Sequence, residues 1–277
     1  MPQPETAMGK YIYCIIRCPE PRQFATLGIG ERGDVVHTVH LKGLAAVVSD
    51  SPIVEYENTR RNMMAHTKVL EEVMREFTIL PVRFGTVGPS TEAIQEQVLN
   101  GRYEELNHLV AEMEGRVELG LKAFWYEEVI FQEIVKENPP IRRLRDTLMG
   151  RPAEETHYDR IRLGEMVGAA MESKREEDAE EILACLRPLT HKTRANKVIT
   201  DRMVLNGAFL VDQSREAEFD EAVQKLDAQM GDRLMFKYVG PVPPYNFVNI
   251  VIHWKEGRQT PDESCRPSGR EGETWVS

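Results

Sequence analysis

Cys14, Cys18, His37 and His40 follow one another in the order of a two-cysteine, two-histidine zinc site, the most chemically suggestive set in this 277-residue sequence. Strand geometry argues against that chemistry. Successive side chains of a strand alternate faces, so if residues 34–40 are extended, His37 and His40 point to opposite sides. Cys14 and Cys18 are expected on one face with Ile12 and Ile16, as small buried thiols. His66, beside Arg60, Arg61 and Lys68, suits an anion site or a general base, but a histidine on a helix surface is the expectation. Gly28-Ile29-Gly30 lacks the third glycine and the strand-to-helix setting of a dinucleotide loop, and no GxSxG elbow or local active-cysteine signature is present. Glu71-Glu72 and Glu176-Glu177-Asp178 fall in charge-rich helical stretches and are expected on solvated faces. No catalytic, cofactor-binding or metal-binding residue is therefore expected, and no cofactor. The competing reading is an enzyme binding a small molecule near His66 or Arg83 on a ferredoxin-like scaffold.

Two other segments carry side chains that ask for a partner. Thr78 to Thr86 (TILPVRFGT) sets Arg83 and Phe84 in an apolar run, so the guanidinium must reach solvent, a carboxylate or carbonyl groups, with an internal ion pair the favoured outcome. Gly240 to Phe247 places Pro241, Pro243 and Pro244 around Tyr245, a stiff loop that either presents an aromatic to a partner or packs it onto its own domain. Arg83, Phe84, Pro243, Pro244, Tyr245 and Phe247 are the candidate partner-binding residues.

The elements that position these groups follow from periodicity. Tyr11 to Arg17 is β-branched and aromatic, the pattern of a central strand, and 34–40 with 43–49 predicts a hairpin around Leu41, Lys42 and Gly43. Met63, Thr67, Leu70, Met74 and Phe77 mark the apolar stripe of a helix over 58–77. A short strand over 78–84 and two helices, the first capped by Ser90 or Thr91, complete this part. From Val117 the period changes to two, which places a domain boundary near Gly115. Helices over 127–138 and beyond Pro140 precede the longest helix, 154–186, its middle read as solvated. Asn206-Gly207 predicts a hairpin between 198–205 and 208–212, Ser214 a cap for a helix to Met230, and 234–239 and 247–254 two closing strands. The order β, helices, β, β, α, β predicts a modified ferredoxin-like domain with long inserted helices. The fold class is thus α+β in two domains, with a flexible N-terminus over 1–9, an N-terminal α+β domain over 10–114, a C-terminal domain over 115–255 and a disordered tail over 256–277.

Composition narrows the setting. Hydrophobic residues at 41% and charged residues at 29% suit a globular chain, and a net charge of −10 disfavours a phosphate backbone as partner. Four scattered cysteines, no secretory h-region and no apolar run near about 20 residues predict a cytoplasmic protein outside the membrane.

The helix AHTKVLEEVM followed by TILPVRFGTV, the stretch GRVELGLKAFW and the closing GPVPPYNFVNIVI together resemble the gas vesicle accessory proteins of the F/L family, over Tyr11 to Trp254. That resemblance implies a non-enzymatic assembly factor or minor vesicle component, cytoplasmic or on the gas vesicle. The implied partners are the small hydrophobic principal shell protein and other accessory gas vesicle proteins, with neither nucleic acid nor membrane. An acidic, soluble protein offering an apolar groove or sheet edge could mask such a subunit and keep the complex dispersed.

Overall fold

The structure is a computed structural model that describes residues 7–254; the expected tail over 256–277, with Cys265 and Trp275, lies outside the described residues. Strand β1 (Met8–Arg17) is central, as its composition predicts, and already includes two residues expected in the flexible N-terminus. It pairs antiparallel with β4 (Leu44–Pro52) on one side and with β5 (Ile79–Pro81) and β6 (Val87–Gly88) on the other. Beyond β4 lie β3 (Val35–Leu41) and the edge strand β2 (Gln23–Leu27), which sequence periodicity missed. Lys42 and Gly43 turn the β3–β4 hairpin with φ of 52° and 84°, the paired left-handed geometry that a two-residue hairpin loop requires.

A register shift between Ile12 and Cys14 changes which side chains share a face. Tyr11, Tyr13, Cys14, Ile16 and Cys18 pack under helix α1 (Arg60–Met74), while Ile12 and Ile15 face the other way. Ile12 is therefore not the face partner of Cys14 that simple alternation predicts. The second face is covered by α2 (Thr91–Ala93), which Ser90 caps and which continues as a π-helix over Ile94–Asn100, and by α3 (Tyr103–Met113). Burial on both faces explains why β1 reads as a continuous apolar run.

Gly115, with φ of 69°, turns the chain out of α3 into a second sheet. In chain order this part comprises β7 (Arg116–Trp125), α4 (Glu127–Glu137), α5 (Pro139–Leu148), α6 (His157–Leu186), β8 (Lys192–Ala195), β9 (Met203–Asp212), α7 (Glu216–Met230) and β10 (Leu234–Val242). The strand order β10-β7-β9-β8, all antiparallel, is that of a βαββαβ unit with three helices in place of its first. Its core gathers Leu119, Leu121, Trp125, Ile182, Phe209, Phe219 and Leu226.

Three local expectations are corrected. Asn206 and Gly207 lie inside β9, because pairing with β7 on one side and β8 on the other outweighs the turn preference of the dipeptide. A Cβ at Gly207 would come within 2.7 Å of the Phe209 ring, so this glycine makes room for an aromatic rather than a turn. Ser214 does not cap α7; it lies in a 3₁₀ turn, Gln213–Arg215, ahead of that helix. Residues 247–254 do not add a strand to the second sheet. They cross to the first, where Ile250 makes a parallel bridge with Val82 and buries itself with Val248 against Ile12 and Ile15.

Candidate partner-binding site

Arg83, Phe84, Gly85 and Thr86 form a tight turn after β5, in which Gly85 has φ of 81° and the Thr86 hydroxyl donates to the Arg83 carbonyl at 2.6 Å. The turn is pinned from below. The Gly85 N–H donates to Tyr11 Oη at 3.0 Å, Tyr11 Oη lies 3.0 Å from His66 Nδ1, and His66 Nε2 lies 3.0 Å from Tyr245 Oη. Burial drives His66 down to about 4, so the ring is neutral at pH 7 and carries one proton. Tyr11 already accepts from Gly85, so the arrangement that leaves no donor idle has Tyr11 donating to Nδ1 and Nε2–H donating to Tyr245. Burial likewise pushes the Tyr11 and Tyr245 hydroxyls well up, which keeps both protonated.

Aromatic rings fill the space around this relay. His66 lies 5.5 Å from Phe84 and from Tyr13 between ring centroids, and Tyr11 meets Tyr56 edge-on at 5.3 Å. Tyr13 Oη accepts the Ile29 N–H at 2.8 Å and pairs with Ser49 Oγ at 2.9 Å. His66, expected on a helix surface, is thus fully buried with both ring nitrogens engaged, an arrangement that positions chain segments and offers no free nitrogen to a substrate.

The residue after Tyr245 turns to the other sheet. Asn246 donates from its backbone N–H and its Nδ2 to the buried carboxylate of Glu118 at 3.0 and 2.5 Å, and accepts from Asn196 Nδ2 at 2.9 Å. Burial raises the Glu118 carboxyl, with the Asn246 bonds and Arg194 pulling the other way. Consecutive side chains of the proline-rich loop therefore tie the two parts of the chain together, and Pro243 and Pro244 ahead of them are buried.

The six candidate residues separate accordingly. Pro243, Pro244 and Phe247 turn inward, Phe247 against the core under α3; Tyr245 is committed to His66 through its hydroxyl although 43% of the residue is exposed. Arg83 and Phe84 line an open groove of about 530 Å³ between the end of β4 and the strap 251–254. Ile53 and Val54, 45% and 42% exposed, form its apolar lip, and Trp254 closes the far side. Arg83 is exposed and, among the described residues, makes no ion pair, so its charge faces solvent and not the internal carboxylate expected. Sequence reasoning did not find Ile53 and Val54, which follow Pro52 and show no periodicity.

The thiols Cys14 and Cys18 are buried, and the Cys18 thiol donates to the Glu20 carbonyl. His37 and His40 each approach a backbone carbonyl, of Val35 and Glu20. Among the described residues, no group of three or more His, Cys, Asp or Glu side chains is placed to hold a metal ion, and no helix is long and apolar enough to cross a membrane. Asp178 is not on a solvated face: it is 2% exposed, accepts the Trp125 indole N–H at 2.7 Å, and pairs with Arg233 at 3.1 Å. Glu72 is also occupied, accepting the backbone N–H groups of Ala25 and Thr26 at 2.8 Å each.

The family model described as "Gas vesicle synthesis protein GvpL/GvpF" matches residues 9–249. Gas vesicle protein F of Streptomyces sp. (strain CB03234) is 32% identical over 87% of this chain and 100% of its own length. Gas vesicle protein F of Microcystis aeruginosa (strain PCC 7806) is 29% identical over 88% and 99%. The crystal structure of GvpF from Anabaena sp. PCC7120 superposes with a TM-score of 0.77 at 27% identity, covering 88% of this chain and 99% of that one.

Proposed function

The chain belongs to the GvpL/GvpF family of gas vesicle synthesis proteins, and from that premise we propose that it is a non-enzymatic assembly factor or minor vesicle component that binds the small hydrophobic shell protein. Binding limits aggregation of the shell subunit while vesicles nucleate and grow. The observation that carries this reading is the match along residues 9–249, which takes in both sheets and the clasping loop. A subunit that assembles into a gas-tight wall exposes a large apolar area beforehand, and such area aggregates in water unless covered.

The groove at Arg83, Phe84, Ile53 and Val54 is the docking surface of this proposal. Its apolar lip covers a greasy segment, and the exposed Arg83 guanidinium meets backbone carbonyls or a carboxylate at the edge of that segment. A net charge of −10 on the chain keeps the complex dispersed. Other accessory gas vesicle proteins are further partners, and the setting is the cytoplasm and the vesicle surface. Division into domains at Gly115 belongs to the same proposal, and separate expression of 10–114 and 115–255 tests it. Pull-down on the chain after co-expression is expected to retain the shell subunit, and a clean deletion is expected to leave cells without vesicles. Intact vesicles in that deletion would contradict the proposal.

A further inference from the structure

A second groove, of about 730 Å³, runs between α1 and the edge strand β2. Its apolar lining comprises Leu27, 56% exposed, Met64, 49% exposed, and Ala65. Its rim is cationic. Arg60, Arg61 and Lys68 stand on the same face of α1 as Met64 and Ala65, against a single acid, Glu31. Among the described residues neither Arg60 nor Lys68 has an ion-pair partner, and the Arg61–Glu31 pair at 3.0 Å is exposed on both sides, the kind a ligand displaces at little cost. A local surplus of positive charge on a chain of net charge −10 runs against the overall composition.

The form of the occupant follows from β2. Its outward N–H groups at Ala25 and Thr26 are taken by Glu72, which closes that edge to an added strand. The face from Arg60 to Lys68 is about 12 Å long at the helical rise, the length of two turns of a partner helix. We propose that the α1–β2 groove is a docking site for an amphipathic helix of a partner protein, one whose apolar stripe is flanked by aspartate or glutamate. Apolar side chains of that helix cover Leu27 and Met64, and its carboxylates meet Arg60, Arg61 and Lys68. Three cations on an acidic protein are too few to hold a nucleic-acid backbone, and a concave floor suits a helix better than a flat membrane surface.

The test uses the full chain and a fluorescein-labelled synthetic helical peptide with leucines at i, i+3, i+4 and i+7 flanked by glutamates, followed by fluorescence anisotropy. Saturable binding is expected, weakened by salt and absent for the same peptide with lysines in place of the glutamates. Arg60→Glu/Arg61→Glu/Lys68→Glu should weaken binding by about tenfold or more, with its thermal melt unchanged, and the milder Arg60→Ala/Lys68→Ala should weaken it several-fold. The triple variant should still retain the shell subunit, which separates failure here from failure of the shell-protein reading. Equal peptide affinity in wild type and variants overturns the proposal. So does loss, in the same variants, of binding to phosphatidylglycerol vesicles or to a single-stranded oligonucleotide that the wild type prefers to the peptide.

Discussion

His66 under the first sheet and Asp178 under the second are both buried ionisable side chains, and each is satisfied in a different way. His66 sits as a neutral ring between two tyrosine hydroxyls, joining β1 and α1 to a loop 179 residues away in sequence. Asp178 is wedged between the Trp125 indole and Arg233, which is itself gripped by Glu133 at 2.6 and 2.8 Å. The hydrogen bond to Glu133, together with Asp178, outweighs desolvation and pushes the Arg233 guanidinium up. A neutral relay costs little to bury and can tie distant segments at a junction. Asp178 has both its cation and its donor in place, held between a strand, a long helix and the Arg233 turn within the second core. The open groove of the first region lies over the neutral relay, whereas Asp178 serves packing.

That contrast predicts a large effect at Asp178. Asp178→Ala removes a buried acceptor from Trp125 and a partner from Arg233, and should lower stability by about 4 kcal/mol in urea denaturation. A loss below that of Tyr245→Phe would break the contrast.

Next in size is a pH effect at His66. Its folded value near 4 lies below the ordinary 6.5, so between those values the unfolded chain binds the proton that the folded chain refuses. The contribution of His66 is therefore complete above about pH 6.5 and is lost as pH falls toward 4, by up to about 3 kcal/mol. Urea midpoints measured across this range should show the slope in the wild type and a weaker one in His66→Gln, while Asp178→Ala should keep it.

The smallest effect is expected at the loop. Tyr245→Phe deletes one hydrogen bond to His66 and should cost about 1 kcal/mol. Hydrogen exchange should then rise in 243–254 and stay unchanged near Trp125, which sharpens the distinction between a clasp and a core.

Much of the frame could be read from residue patterns, because β1 is buried on both faces and reads as a continuous apolar run, while α1, β7 and α7 each bury one face and carry its period. What escaped was set by tertiary partners. Asn206-Gly207 has strong turn chemistry, but a strand paired on both sides overrides it. The alternation in 247–254 is genuine, with Val248 and Ile250 inward, yet nothing local says which sheet it joins. Asp178 looked solvated within a run of acids, although it stands four residues before Ile182 on the buried stripe, beneath an indole that needs an acceptor. His66 gave no such warning: its partners come from Tyr11 and Tyr245, far away in the chain. Of the candidate residues, the flanking apolar sequence singles out Arg83 and Phe84, which line a groove with Ile53 and Val54, and these two arrive from the end of another strand.

The most direct test of shell-protein binding at this groove is light scattering of the shell subunit diluted from denaturant, with and without the purified chain, alongside the double variant Ile53→Asp/Val54→Asp. Wild type should suppress the scattering and co-elute with the subunit, while the variant, equally stable, should do neither. Identical aggregation with and without the wild-type chain would contradict the account.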